Sequence, residues 1–224
     1  MNFTTQQALA FCEDNLEELK NIKNKLILCP SFPGLTVLSH LLKDTSLAVG
    51  AQTVSEHESG SFTGQVSAKD LAASGCTYVI VGHSEERSSQ CLSHSTIAQK
   101  TLRVLEAGMI PLVCIGETQE IKDAGTTQEY LEEQLFTLKR TVRGAPLYIV
   151  YEPLWAIGTG QTPTAQELTD IISKLKMFMQ GCAFLYGGSV NSTTIKELNK
   201  VELICGYLLG KASLDFQELK KVVS

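Results

Sequence analysis

The residue best placed to do chemistry is a glutamate at the end of an apolar run, in Tyr151-Glu152-Pro153-Leu154-Trp155-Ala156-Ile157-Gly158-Thr159-Gly160. The run Leu147–Tyr151 reads as a strand, and Glu152 sits where it ends. Pro153 fixes the backbone, and a short apolar stretch then leads to two glycines. An apolar loop between a rigid start and glycine hinges suits a lid that closes and excludes water. A carboxylate under such a lid is poorly solvated and therefore more basic. That makes Glu152 a candidate general base for taking a proton next to a carbonyl. The competing reading is a loop carboxylate with an ordinary surface role.

Three other segments set polar or small residues after apolar runs. In Val81-Gly82-His83-Ser84-Glu85, His83 follows a β-branched strand pattern. His40, His57 and His94 have no such position and read as structural or surface residues. Glu85 and Arg87 are close enough in sequence to form an ion pair. Tyr186-Gly187-Gly188-Ser189-Val190-Asn191 and Leu209-Gly210-Lys211-Ala212-Ser213 each put small residues between a strand and a helix. Glycine lets backbone N–H groups approach an anion, and a helix N-terminus favours negative charge. Either loop alone could be only a tight turn; both together at the end of one chain favour a phosphate site.

The elements that must hold these residues alternate. Apolar runs at Lys25–Cys29, Leu47–Ala51, Tyr78–Val81, Ile110–Ile115, Leu147–Tyr151, Ala183–Tyr186 and Leu203–Leu208 do not switch between apolar and polar. They read as strands buried on both faces. Helical patterns lie between them, including Thr127–Arg143 and Thr164–Gln180. A further helix, Gln6–Lys20 capped by Thr4-Thr5, precedes the first strand. Strand–helix alternation implies parallel strands with right-handed crossovers, in a closed barrel or an open doubly wound sheet. Polar segments after strand upon strand favour the barrel. Seven strands against the eight a closed barrel needs give α(βα)7, a (β/α)8 barrel without its first strand, in one domain over residues 1–224.

Composition narrows the classes. The 224 residues are 43% hydrophobic with a formal charge of −5. That supports a soluble protein and gives no support to a nucleic-acid or membrane partner. No apolar run is long enough to span a bilayer, and the N-terminus does not read as a secretory signal. The seven cysteines are scattered with no C-x-x-C pair, so neither a zinc site nor a redox dithiol is expected. They read as small buried side chains in a reducing cytosol.

Taken together, VGHSEER (81–87), CIGET (114–118), YEPLWAIGTG (151–160), YGGSV (186–190), SFTGQ (61–65) and LGKAS (209–213) resemble the triose-phosphate isomerase family. They come in the family's order, from about residue 2 to the end. The resemblance implies a cytoplasmic isomerase of glycolysis and gluconeogenesis that needs no cofactor or metal and interconverts D-glyceraldehyde 3-phosphate and dihydroxyacetone phosphate. It implies Glu152 as base, His83 as electrophile and proton shuttle, and Glu85 in support. Residues 153–160 would be the lid, and backbone N–H groups of Gly158, Ser189, Gly210 and Lys211 would hold the phosphate. SFTGQ resembles the loop through which the family forms homodimers, with Thr63 near its tip.

The sequence also departs from the family pattern. The family's first strand ends in a segment like N-x-K-M-N, and Met1-Asn2-Phe3 matches only its last two residues, so the lysine would fall just before Met1. The expected Arg-Arg after GHSE is Glu86-Arg87, the loop glutamate is Gln65, and Lys211 replaces a small residue. Lys211 could bring charge to the phosphate or point to solvent. The leading expectation is a working isomerase whose start lies upstream of Met1. The alternative is a truncated, weakly active or inactive homologue that binds phosphorylated ligand or dimerises. An aldolase would need a Schiff-base lysine at a strand end and an epimerase a His/Asp metal cluster; neither is legible. A non-catalytic scaffold has no need of a glutamate under a lid.

Overall fold

The strand runs form where β-branched and aromatic residues can be covered on both faces. The computed structural model describes residues 2–223, in two units by the density of their contacts. The first holds the chain up to Val81 and Gln99–Pro111, with Val223; the second holds Gly82–Ala98 and Leu112–Val222.

The first unit contains α1 (Thr5–Asp14), α2 (Leu16–Lys20), β1 (Ile27–Leu28), α3 (Leu35–Leu42), β2 (Ala48–Ala51), α4 (Ala68–Ala73) and β3 (Tyr78–Val81). Its strands are parallel and pair in chain order, Ile27 opposite Ala48 and Gly50 opposite Tyr78. The single helix expected over Gln6–Lys20 is two. Asn15 breaks it, because its side-chain amide bonds back to the carbonyl of Phe11 at 2.8 Å and competes with the helical ladder. Thr4 caps α1, and Gln7 closes the reciprocal half of the capping box.

The second unit contains α5 (Ser84–Gln90), the start of α6 (His94–Glu106), most of β4 (Ile110–Ile115), α7 (Gln119–Asp123), α8 (Thr127–Val142), β5 (Tyr148–Tyr151), α9 (Ala165–Phe178), β6 (Ala183–Tyr186), α10 (Ile195–Leu198) and most of α11 (Phe216–Val223). Here too the strands are parallel and in chain order. The register makes Ile115, Tyr151 and Tyr186 neighbours at the strand ends. On α8, Leu131, Gln134, Leu135, Leu138 and Val142 make the buried stripe.

Among the described residues six strands form, at or inside six of the seven expected runs. The exception is Leu203–Leu208, which forms no full strand yet still pairs with β6: Cys205 N–H donates to the Phe184 carbonyl at 2.9 Å, Tyr186 N–H to the Gly206 carbonyl at 3.1 Å and Leu208 N–H to the Tyr186 carbonyl at 2.9 Å. A turn shortens the run: Ile204 N–H bonds the Val201 carbonyl at 3.2 Å, so pairing starts only at Cys205.

Thr164 caps α9, with Glu167 returning a 2.7 Å bond to the Thr164 N–H. Replacing Thr164 by Ala is expected to cost about 1 kcal/mol of stability, measured by urea denaturation.

Candidate active site

Every residue of the candidate site belongs to the second unit. β5 carries the chain to Tyr151, and the next residue, Glu152, continues the ladder by donating its N–H to the Ile115 carbonyl at 2.7 Å. Gly187 N–H in turn donates to the Tyr151 carbonyl at 2.9 Å. Glu152 therefore leaves the sheet between two glycines, Gly116 after β4 and Gly187 after β6. Neither could carry a side chain unchanged. A Cβ on Gly116 would lie 1.9 Å from the Glu152 carbonyl oxygen, and one on Gly187 would lie 2.7 Å from Glu152 Cγ.

The glutamate is only 1% exposed. Burial raises its pKa; His83, the Ser84 N–H, the Cys114 thiol and Arg87 oppose that rise without cancelling it. One oxygen, Oε2, accepts from the Ser84 N–H at 3.4 Å. The other, Oε1, lies 3.2 Å from His83 Nε2 yet has no aligned hydrogen-bond donor.

His83 is the N-cap of α5, and its Nδ1 accepts the Glu85 N–H at 3.3 Å. An accepting Nδ1 leaves the proton of a neutral ring on Nε2, the nitrogen that faces Glu152. Glu85 therefore acts on the histidine through its backbone. Its carboxylate is 90% exposed and stands 4.0 Å from Nδ1. The expected ion pair between Glu85 and Arg87 does not form. Arg87 turns inward and donates to the carbonyls of Gly82 and Cys114, bracing the ends of two strand segments.

The loop after Glu152 is anchored at both ends. Leu154–Ala156 is a short 3-10 turn, and Gly158 and Gly160 have φ of 69° and 78°, values that suit glycine. At its start, Trp155 Nε1 donates to Glu117 Oε1 at 2.8 Å, and Lys122 Nζ sits 3.4 Å above the indole ring. Tyr151 gives its hydroxyl to the same Glu117 oxygen at 2.9 Å. At its far end, Ser189 Oγ donates to the Ala156 carbonyl at 2.6 Å and accepts from the Gly160 N–H at 3.2 Å.

Of the four N–H groups expected to hold phosphate, those of Gly158, Ser189, Gly210 and Lys211, none donates to a protein acceptor among the described residues. Lys211 opens a 3-10 turn and is exposed. Thr63 belongs to the first unit, exposed in a loop where His57 and Phe62 stack at 3.5 Å. Sequence reasoning assigned no role to Glu117 or Gln134, read Cys114 only as a small buried side chain, and gave Arg87 a different partner. The signal for Gln134 was available: a polar residue inside the apolar stripe of α8 must find a buried partner. Its amide accepts from the Gly116 N–H at 3.2 Å and donates to the Gly116 carbonyl at 2.8 Å.

The arrangement can move a proton: a desolvated carboxylate faces a ring N–H, and the loop that follows it is tethered at both ends. Residues 1–224 match the family model described as triosephosphate isomerase. The chain belongs to the triosephosphate isomerase family. Relatives carrying that name include one from Polynucleobacter asymbioticus, 41% identical over 207 residues that cover 87% of this chain and 82% of the relative. Another, from Herminiimonas arsenicoxydans, is 36% identical with coverages of 92% and 88%. A third, from Aquifex aeolicus, is 35% identical and covers all of this chain and 95% of the relative. Membership fixes the α/β class and the TIM-barrel type of fold, and it sets aside the aldolase, epimerase and scaffold readings. Among the described residues no group of three or more His, Cys, Asp or Glu side chains could hold a metal ion, and no helix is long and apolar enough to cross a membrane.

The raised pKa of Glu152 has a consequence for stability. Its folded carboxyl holds a proton more tightly than the unfolded one, so folding is favoured most below the ordinary carboxylate range. That contribution is lost as pH rises through the folded value. Glu152→Gln cannot ionise and is expected to unfold at higher urea than the parent at neutral pH, with the gap closing as pH falls. A variant less stable than the parent at neutral pH would contradict the burial account.

Proposed function

We propose that this protein interconverts D-glyceraldehyde 3-phosphate and dihydroxyacetone phosphate by proton transfer through an enediolate. The observation that carries the reading is Glu152, buried and 3.2 Å from His83 Nε2. Glu152 takes a proton from the carbon next to the substrate carbonyl. The bonding pair moves to the carbonyl oxygen, where the His83 Nε2 proton stabilises the developing charge. Triosephosphate isomerase is the reference example of a neutral imidazole used in this way. His83 then relays a proton between the two enediolate oxygens, and Glu152 returns its proton to the adjacent carbon. Every step moves protons alone, so no cofactor enters.

Residues 153–160 act as the lid, and the N–H groups of Gly158, Ser189, Gly210 and Lys211 bind the phosphate. Their freedom from protein acceptors supports that role. Glu85 supports the site through the N–H it gives to His83. Residues 1–224 work as one barrel domain of a cytoplasmic enzyme. It is a homodimer whose loop bearing Thr63 reaches the partner. A homologue that binds phosphate without turnover would have no use for an ionisable group as deeply buried as Glu152.

Glu152→Gln is expected to lower kcat by about 10²- to 10⁴-fold, the usual contribution of a general base, in a coupled isomerase assay. Turnover equal to the parent's would sink the assignment. Gly187→Ala, whose Cβ would displace Glu152, is expected to lower kcat by up to about 100-fold while the protein stays folded, read by the same assay beside circular dichroism.

A further inference from the structure

We infer that Gln134 is a positioning residue for both the base and the lid, acting through the two peptides that meet at Gly116. The inference rests on the isomerase reading for its kinetic consequence, but its structural grounds are independent of it. Gln134 is 6% exposed, deep in the apolar stripe of α8. A buried primary amide is costly there unless satisfied. It is satisfied by one residue, Gly116, whose N–H it accepts and whose carbonyl it bonds. Such a two-way clasp fixes the orientation of both peptides that meet at the Gly116 Cα.

Gly116 is where that orientation matters. It has no side chain to anchor it, and it passes so close to the Glu152 carbonyl that a Cβ would overlap it at 1.9 Å. The residues on either side of it hold the segment that carries the base and the lid. Ile115 accepts the Glu152 N–H at 2.7 Å, and the Glu117 carbonyl accepts the Leu154 N–H at 2.9 Å. The Glu117 side chain holds Tyr151 and Trp155. Rotating the two peptides at Gly116 would therefore tilt the base, through the Ile115 carbonyl, and the foot of the lid, through Glu117, together. Gln134 touches neither the base nor the lid loop in any hydrogen bond; α8 reaches both through one glycine.

The test compares two variants with the parent. Gln134→Met keeps the length and loses both bonds. It is expected to lower kcat by about 10- to 100-fold, with KM changed less than about threefold. Trp155 is the only tryptophan in the chain, so its emission and its quenching by acrylamide report the foot of the lid directly. Both are expected to change in Gln134→Met. Gln134→Glu separates a clasp from mere packing. A protonated carboxyl can accept from the Gly116 N–H and donate to its carbonyl, as the amide does; an ionised one can only accept. The cavity beside position 134 is also lined by Arg87, His94, Cys114, Tyr130 and Glu152. Each rate is therefore divided by the parent's at the same pH. Relative turnover and the Trp155 signal of Gln134→Glu are expected to approach the parent's at low pH and fall as pH rises, while Gln134→Met stays low throughout. Unchanged kcat and Trp155 emission in Gln134→Met would overturn the inference, as would a Glu variant that tracks the Met variant at every pH. If the parent itself has no isomerase turnover, the functional reading fails, and the Trp155 signals of the two variants still decide the clasp.

Discussion

Taking one carboxyl out of water is the demand from which the rest of the site follows. An ionised glutamate at 1% exposure is expensive. The Ser84 N–H and the Cys114 thiol moderate the cost, and His83 Nε2 stands close without an aligned bond. A salt bridge to Arg87 would have been the simpler way to bury this charge, and it would have lowered the basicity the chemistry needs. Arg87 is instead turned to two carbonyls. Stability is given up locally so that the base stays strong.

A second buried carboxylate, Glu117, has the opposite task. One oxygen takes two donors, Tyr151 and Trp155, which tie the end of β5 to the first turn of the loop. The loop can then pivot only beyond Trp155, where Gly158 and Gly160 accept backbone angles that other residues resist. Ser189 meets the loop from the other side and belongs to the segment whose free amides suit a phosphate. The foot of the loop and its far tether thus depend on different strand ends of one sheet.

Much of this was legible in the sequence, because the signals were local. Doubly buried strands show as unbroken apolar runs, and three of them, Tyr78–Val81, Ile110–Ile115 and Ala183–Tyr186, have the expected ends. Glu152 and His83 were visible through their places after strands. What was not legible depended on contacts distant in sequence. The break at Asn15 comes from a side chain reaching back one turn, and the shortening of the run at Leu203–Leu208 from a turn at its first residues. Arg87 has a nearby carboxylate in the sequence and ignores it for carbonyls that only the folded chain supplies. Gln134 and Gly116 are 18 positions apart, and neither advertises the other.

The matched ends of β4, β5 and β6 make the site a matter of counting. Ile115, Tyr151 and Tyr186 stand level, so the three residues that follow them arrive together as glycine, glutamate and glycine. Loops and helices between these strands can lengthen or shorten without moving that row. The strands cannot: removing one residue from β4 would bring Glu117 to the place of Gly116, setting a second carboxylate and a Cβ against Glu152 and turning alternate side chains to the wrong face. Variation that preserves this family's chemistry is therefore expected to accumulate as insertions outside the sheet and to stop abruptly at its edge.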